Sequence, residues 1–130
     1  MDIGQRALDY HKNGYNCAQS VFAACCEYTG MDEKTALALS AGFGGGARCG
    51  ELCGAVTGAI MAEGLVFPFN DGSDTGAKDK IAMITKQCVA IAREKYGYVR
   101  CADLKGNINC SEIIAFMAKT AEDIMKKEKN

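Results

Sequence analysis

Eight cysteines lie between positions 17 and 110 of a 130-residue chain, and no two of them form a Cys-x-x-Cys pair. Any site that several of them share must be built by the tertiary fold, because no local ribbon gathers them. The amino terminus, Met1-Asp2-Ile3-Gly4-Gln5-Arg6, lacks a cationic start followed by an apolar run, so export by a cleaved leader is not expected. The expected setting is cytoplasmic, where thiols stay reduced. So many cysteines there point to a metal or iron–sulfur site or to thiol redox chemistry, not to structural disulfides.

Helical periodicity recurs along the chain and strand alternation does not. With one proline and 48% hydrophobic residues, this predicts an all-α protein, a compact bundle of five to six helices in a single domain over residues 1–130. The first helix is expected from Asp2 to Lys12 and the second from Asn16 to about Gly30. The third should run from Asp32 to about Ala41, with Leu37 and Leu39 inside. A glycine-rich loop, Gly42-Phe43-Gly44-Gly45-Gly46, precedes a fourth helix over roughly Gly50 to Val66. A long fifth helix follows the polar loop Asn70 to Asp74 and ends near Tyr96-Gly97, and the last begins after Asn109.

The same residues exclude several functions. A net charge of −1 with scattered basic residues argues against nucleic-acid binding. Leu52 to Phe69 is apolar but short, rich in Gly and Ala and interrupted by Glu63, which reads as a buried helix and not a membrane span. His11 is the only histidine, so Ser-His-Asp or Cys-His hydrolytic machinery has little to work with. It is placed on the polar side of the first helix, away from a ligand role. Cys88 shares helical spacing with Ile81, Ile84 and Ile91, and Cys25 shares a side with Val21 and Ala24, so both are expected in the core.

Two helix starts match. Asn16-Cys17-Ala18-Gln19 and Asn109-Cys110-Ser111-Glu112 both read as capping boxes, each placing a cysteine at the first helical position. Free backbone N–H groups there favour a thiolate. Between them, Arg48-Cys49-Gly50-Glu51-Leu52-Cys53 carries two cysteines four apart, which share a face if the fourth helix already includes Cys49. Gly54, Gly58 and Ala62 form a small-residue ridge suited to close approach of another backbone. Gly44, Gly45 and Gly46 serve either as turn residues or as N–H donors to an anionic group such as cluster sulfide.

These residues carry a resemblance. Asn16-Cys17-Ala18-Gln19-Ser20-Val21, then Gly44-Gly45-Gly46, then Cys53-Gly54-Ala55-Val56-Thr57-Gly58, then Cys101 and Cys110, resemble the C_GCAxxG_C_C family of redox-active proteins. The resemblance spans about residues 14 to 115. It implies a small helical protein, similar to the non-haem part of split-Soret cytochromes, whose four defining cysteines are Cys17, Cys53, Cys101 and Cys110. No Cys-x-x-Cys-His occurs, so covalent haem is not supported. Cys49 lies outside the defining four.

The expected function is electron transfer with a redox partner protein, through an iron–sulfur cluster on those four cysteines, [2Fe–2S] in preference to [4Fe–4S]. A metal-free thiol/disulfide protein and a zinc site are the alternatives. A homodimer is suggested by analogy and by the small-residue ridge.

Overall fold

A computed structural model describes residues 1–129. The described residues hold eight helices: α1 (Ile3–Lys12), α2 (Cys17–Ala24), α3 (Cys26–Thr29), α4 (Glu33–Ser40), α5 (Gly54–Val66), α6 (Thr75–Tyr96), α7 (Cys101–Leu104) and α8 (Cys110–Glu128). Two of them, α3 and α7, are single turns of four residues; the other six correspond to the expected bundle. No helix among the described residues is long and apolar enough to cross a membrane.

Helix starts follow side-chain capping. Carboxylates of Asp2, Asp32 and Asp74 accept from the backbone N–H three residues on, at 3.2, 3.0 and 3.0 Å. Gly30 and Gly97 end their segments in the left-handed conformation, φ 75° and 79°. The expected second helix is interrupted. Its regular path stops at Ala24, Cys25 bends the chain (φ −88°, ψ 3°), and α3 completes the run to Gly30. In α4 the inward residues are Ala36 and Ser40, whereas Leu37 is only half-buried and Leu39 is 52% exposed.

The larger departure lies before α5, which begins at Gly54 and not at Gly50. Residues 45–48 wind left-handed, with φ 65° at Gly45 and Gly46, 57° at Ala47 and 63° at Arg48. Outside glycine that conformation costs roughly 1–2 kcal/mol per residue, so the turn survives only because the chain around it is fixed. What fixes it is an isolated antiparallel bridge, Leu52 to Arg100. Cys53 N–H donates to the Val99 carbonyl at 2.8 Å, and Cys101 N–H donates to the Glu51 carbonyl at 2.7 Å. Residues 51–53 are thereby held extended, and a helix cannot pass through them.

The core is organised on α2 and α5. The ridge predicted from Gly54 and Gly58 is used within the chain: a Cβ at Gly58 would stand 2.7 Å from the Ala18 carbonyl oxygen, so only glycine lets α2 lie this close. That face is therefore occupied by α2 and not free for a second copy. Helices α1 and α8 close the core over α2 and α5, and α6 packs on α5 and α8. Phe22, Val56, Ile84, Ile114 and Met117 are fully buried, each contributing about 1.5–3 kcal/mol by leaving water. Cys25 and Cys88 are buried too, as the periodicity of their helices predicts.

Candidate functional site

Four separated segments bring their cysteines to one end of the bundle. Cys17, Cys53, Cys101 and Cys110 all line a single cavity of about 230 Å³, together with His11, Asn16, Gly45, Leu104, Lys105, Ile108 and Ile113. Each cysteine marks a helix start. Cys17, Cys101 and Cys110 are the first residues of α2, α7 and α8, and Cys53 is the residue that caps α5. Unsatisfied backbone N–H groups gather at such positions, and in the two-turn and longer helices the dipole adds to them. The arrangement favours negative charge at this end of the molecule.

Each position has a local cause. Asn16 closes the predicted capping box in full: its Oδ1 accepts from Gln19 N–H at 2.9 Å, and Gln19 Oε1 accepts from Asn16 N–H at 3.0 Å. Their remaining amide hydrogens tie α2 to the end of α4, through Asn16 Nδ2 to the Ala41 carbonyl and Gln19 Nε2 to the Leu37 carbonyl. At Asn109 the box does not close. Its Oδ1 accepts from Ser111 N–H at 2.8 Å instead, so Asn109 caps α8 through the second helical residue and not through Glu112. Cys53 and Cys101 are set side by side by the Leu52–Arg100 bridge, and Arg100 reaches Glu51 at 3.8 Å across it. Gly54 leaves room for Cys17: a Cβ there would lie 2.5 Å from the Cys17 sulfur.

The three loop glycines divide by role. Gly45 lines the cavity. At Gly44 a side chain would strike Asn16, and at Gly46 it would strike the Glu51 backbone, so those two are packing and turn residues. Cys49 is exposed on the left-handed turn and is not among the cavity's lining residues. Because α5 starts only at Gly54, it does not include Cys49, and the condition under which Cys49 and Cys53 would share a helix face is not met. His11, which its own helix pattern places on a polar side, also lines the cavity. It sits in the last turn of α1, immediately before the Asn13-Gly14 turn that brings the chain back to Cys17. That short return was the available signal.

The thiols affect one another. Burial pushes the Cys53 thiol up to about 11, with Cys17 and Cys101 adding to the shift. Burial likewise raises Cys101, followed by the influence of Cys17 and Cys110. At these two residues burial outweighs any help from a helix start and favours the protonated thiol.

A family model described as "Putative redox-active protein (C_GCAxxG_C_C)" matches residues 15–124. The chain belongs to this family. The C_GCAxxG_C_C motif thus has a physical reading here: its Cys-Gly-Ala-x-x-Gly element supplies Cys53, makes room for the Cys17 sulfur at Gly54 and lets α2 dock at Gly58. Comparison with curated proteins and with solved structures finds no match.

Four thiols and an apolar wall of Leu104, Ile108 and Ile113 match, in donor type and number, what an iron–sulfur cluster or a zinc ion takes. The sulfurs share the cavity without meeting. Among the described residues no three His, Cys, Asp or Glu side chains stand close enough to hold an ion together.

Proposed function

We propose that this member of the C_GCAxxG_C_C family is an electron carrier in a reducing compartment such as the cytoplasm, with an iron–sulfur cluster on Cys17, Cys53, Cys101 and Cys110. The observation that carries the proposal is the convergence of four cysteines, from segments as far apart as residues 17 and 110, on one cavity. A cluster of the [2Fe–2S] type, favoured over [4Fe–4S], would supply one-electron chemistry when bound. The chain's own residues do the rest. Helix starts and the Gly45 backbone offset negative charge, and Leu104, Ile108 and Ile113 limit water. Cys110 and Lys105 are exposed and form the rim at which a redox partner protein can approach. Arg48 and Lys105 also line a more open depression of about 490 Å³ beside Cys101.

Protein prepared without oxygen is expected to be brown and to contain iron and acid-labile sulfide. Cys17→Ser, Cys53→Ser and Cys101→Ser should each remove the colour, and Cys49→Ser should keep it with wild-type iron content. A colourless preparation holding zinc would replace this reading with a structural metal site. A colourless, metal-free protein that forms a reversible disulfide among the cavity cysteines would replace it with thiol chemistry.

A further inference from the structure

We propose that His11 is a nitrogen donor to the metal group of the cysteine cavity, an inference that rests on the iron–sulfur reading above. The imidazole lines the same cavity as the four thiols. Its Nδ1 stands 3.1 Å from the Tyr15 carbonyl oxygen. A carbonyl only accepts, so Nδ1 carries the hydrogen, and in the neutral ring the lone pair lies on Nε2. Metal-binding histidines regularly use this arrangement: one ring nitrogen donates to a backbone carbonyl, which fixes the tautomer and aims the other.

The carbonyl is itself held in place. Tyr15 N–H donates to the Tyr10 carbonyl at 3.2 Å, and the Tyr15 ring meets Tyr10 edge-on with centroids 5.8 Å apart. Asn16, the neighbouring polar side chain of the cavity wall, has its amide committed to Gln19 and Ala41. His11 thus brings to the cavity a borderline nitrogen donor of the kind that iron and zinc accept.

With four thiols and one imidazole the cavity holds five donors, one more than a four-ligand cluster uses. Cys110 is exposed, whereas Cys53 is buried and Cys17 and Cys101 are partly so. The rim thiol is therefore the one whose place water and the imidazole contest. A neutral nitrogen in place of an anionic sulfur raises the potential of a [2Fe–2S] centre.

His11 is the chain's one histidine, so histidine labelled with nitrogen-15 marks a single residue of tag-free protein. That protein, loaded with iron and sulfide without oxygen and then reduced, should show by pulsed EPR a strongly coupled nitrogen whose signal changes with the label. A loaded, reduced cluster whose spectrum ignores the label overturns the role of His11 and leaves the four-cysteine reading standing. Failure to take up iron or sulfide at all overturns both. Independently, His11→Ala should weaken anaerobic Co²⁺ binding by about tenfold or more, with helix content by circular dichroism unchanged. Equal Co²⁺ affinity in a folded variant counts against the proposal.

Discussion

Replacing Gly54 with alanine is expected to leave a helical protein that no longer assembles its cysteine site. The new Cβ would lie 2.5 Å from the Cys17 sulfur, 3.0 Å from the Phe43 carbonyl oxygen and 3.2 Å from the Ala18 nitrogen. The sulfur can rotate away, but the two backbone atoms cannot, so relief comes from expelling Cys17 and easing α2 off α5. Overpacking of this kind costs about 1–3 kcal/mol, partly offset by alanine's better helix propensity. The loss should therefore fall more heavily on metal uptake than on folding. Gly58→Ala meets the Ala18 carbonyl at 2.7 Å and should damage folding itself. Gly64, on the same helix, has nothing within 4 Å of its would-be Cβ, and Gly64→Ala should stabilise by up to about 1 kcal/mol. Urea unfolding and iron content of the three variants check this order. A Gly54→Ala protein that binds iron like wild type would show that Gly54 does not shape the site.

The second large effect concerns Glu63, whose carboxyl is fully buried with neither oxygen hydrogen-bonded. Burial pushes it from an ordinary value near 4.5 up to about 8, and nearby Cys88 offsets this only in part. Glu63 in turn acts on Cys25, which is raised by burial first and then by Glu63. With the folded value above the unfolded one, the unfolded chain releases its proton first as pH rises. Stability is then fully present below about pH 4.5, falls by about 1.4 kcal/mol per unit, and this contribution is gone once pH passes about 8. Across that window the loss is about 5 kcal/mol, comparable with the whole stability of a small domain. Glu63→Gln should flatten the dependence and exceed wild type by about 3 kcal/mol at pH 7, with the advantage vanishing near pH 4.5. Urea titrations of both proteins at several pH values between 4.5 and 8 provide the measurement. Identical slopes would mean that Glu63 is ionised in the folded state.

Much of this architecture is readable from local signals. Caps at Asp2, Asn16, Asp32 and Asp74, and glycines at positions 30 and 97, mark helix ends because a side chain or a backbone preference acts within a few residues. Burial of Cys25 and Cys88 follows from helical spacing for the same reason. The four candidate cysteines come from an ordered motif over most of the chain, which identifies residues and says nothing of distances.

Other features escape any local reading. The true start of α5 depends on Arg100, 48 positions beyond Leu52, pairing with it across the bridge. Ala47 and Arg48 adopt a left-handed conformation against their own preference, so propensity points the wrong way. His11 reads as a polar surface residue on its own helix and becomes a cavity residue only when the neighbouring segments arrive. Residue order alone decided which segments coil, where they stop and which thiols the family motif marks, since those choices rest on forces between near neighbours. Only packing decided that Gly54 yields to a sulfur, that Cys49 stays outside and that His11 and four cysteines line one cavity, because each depends on groups that the chain brings together from far apart.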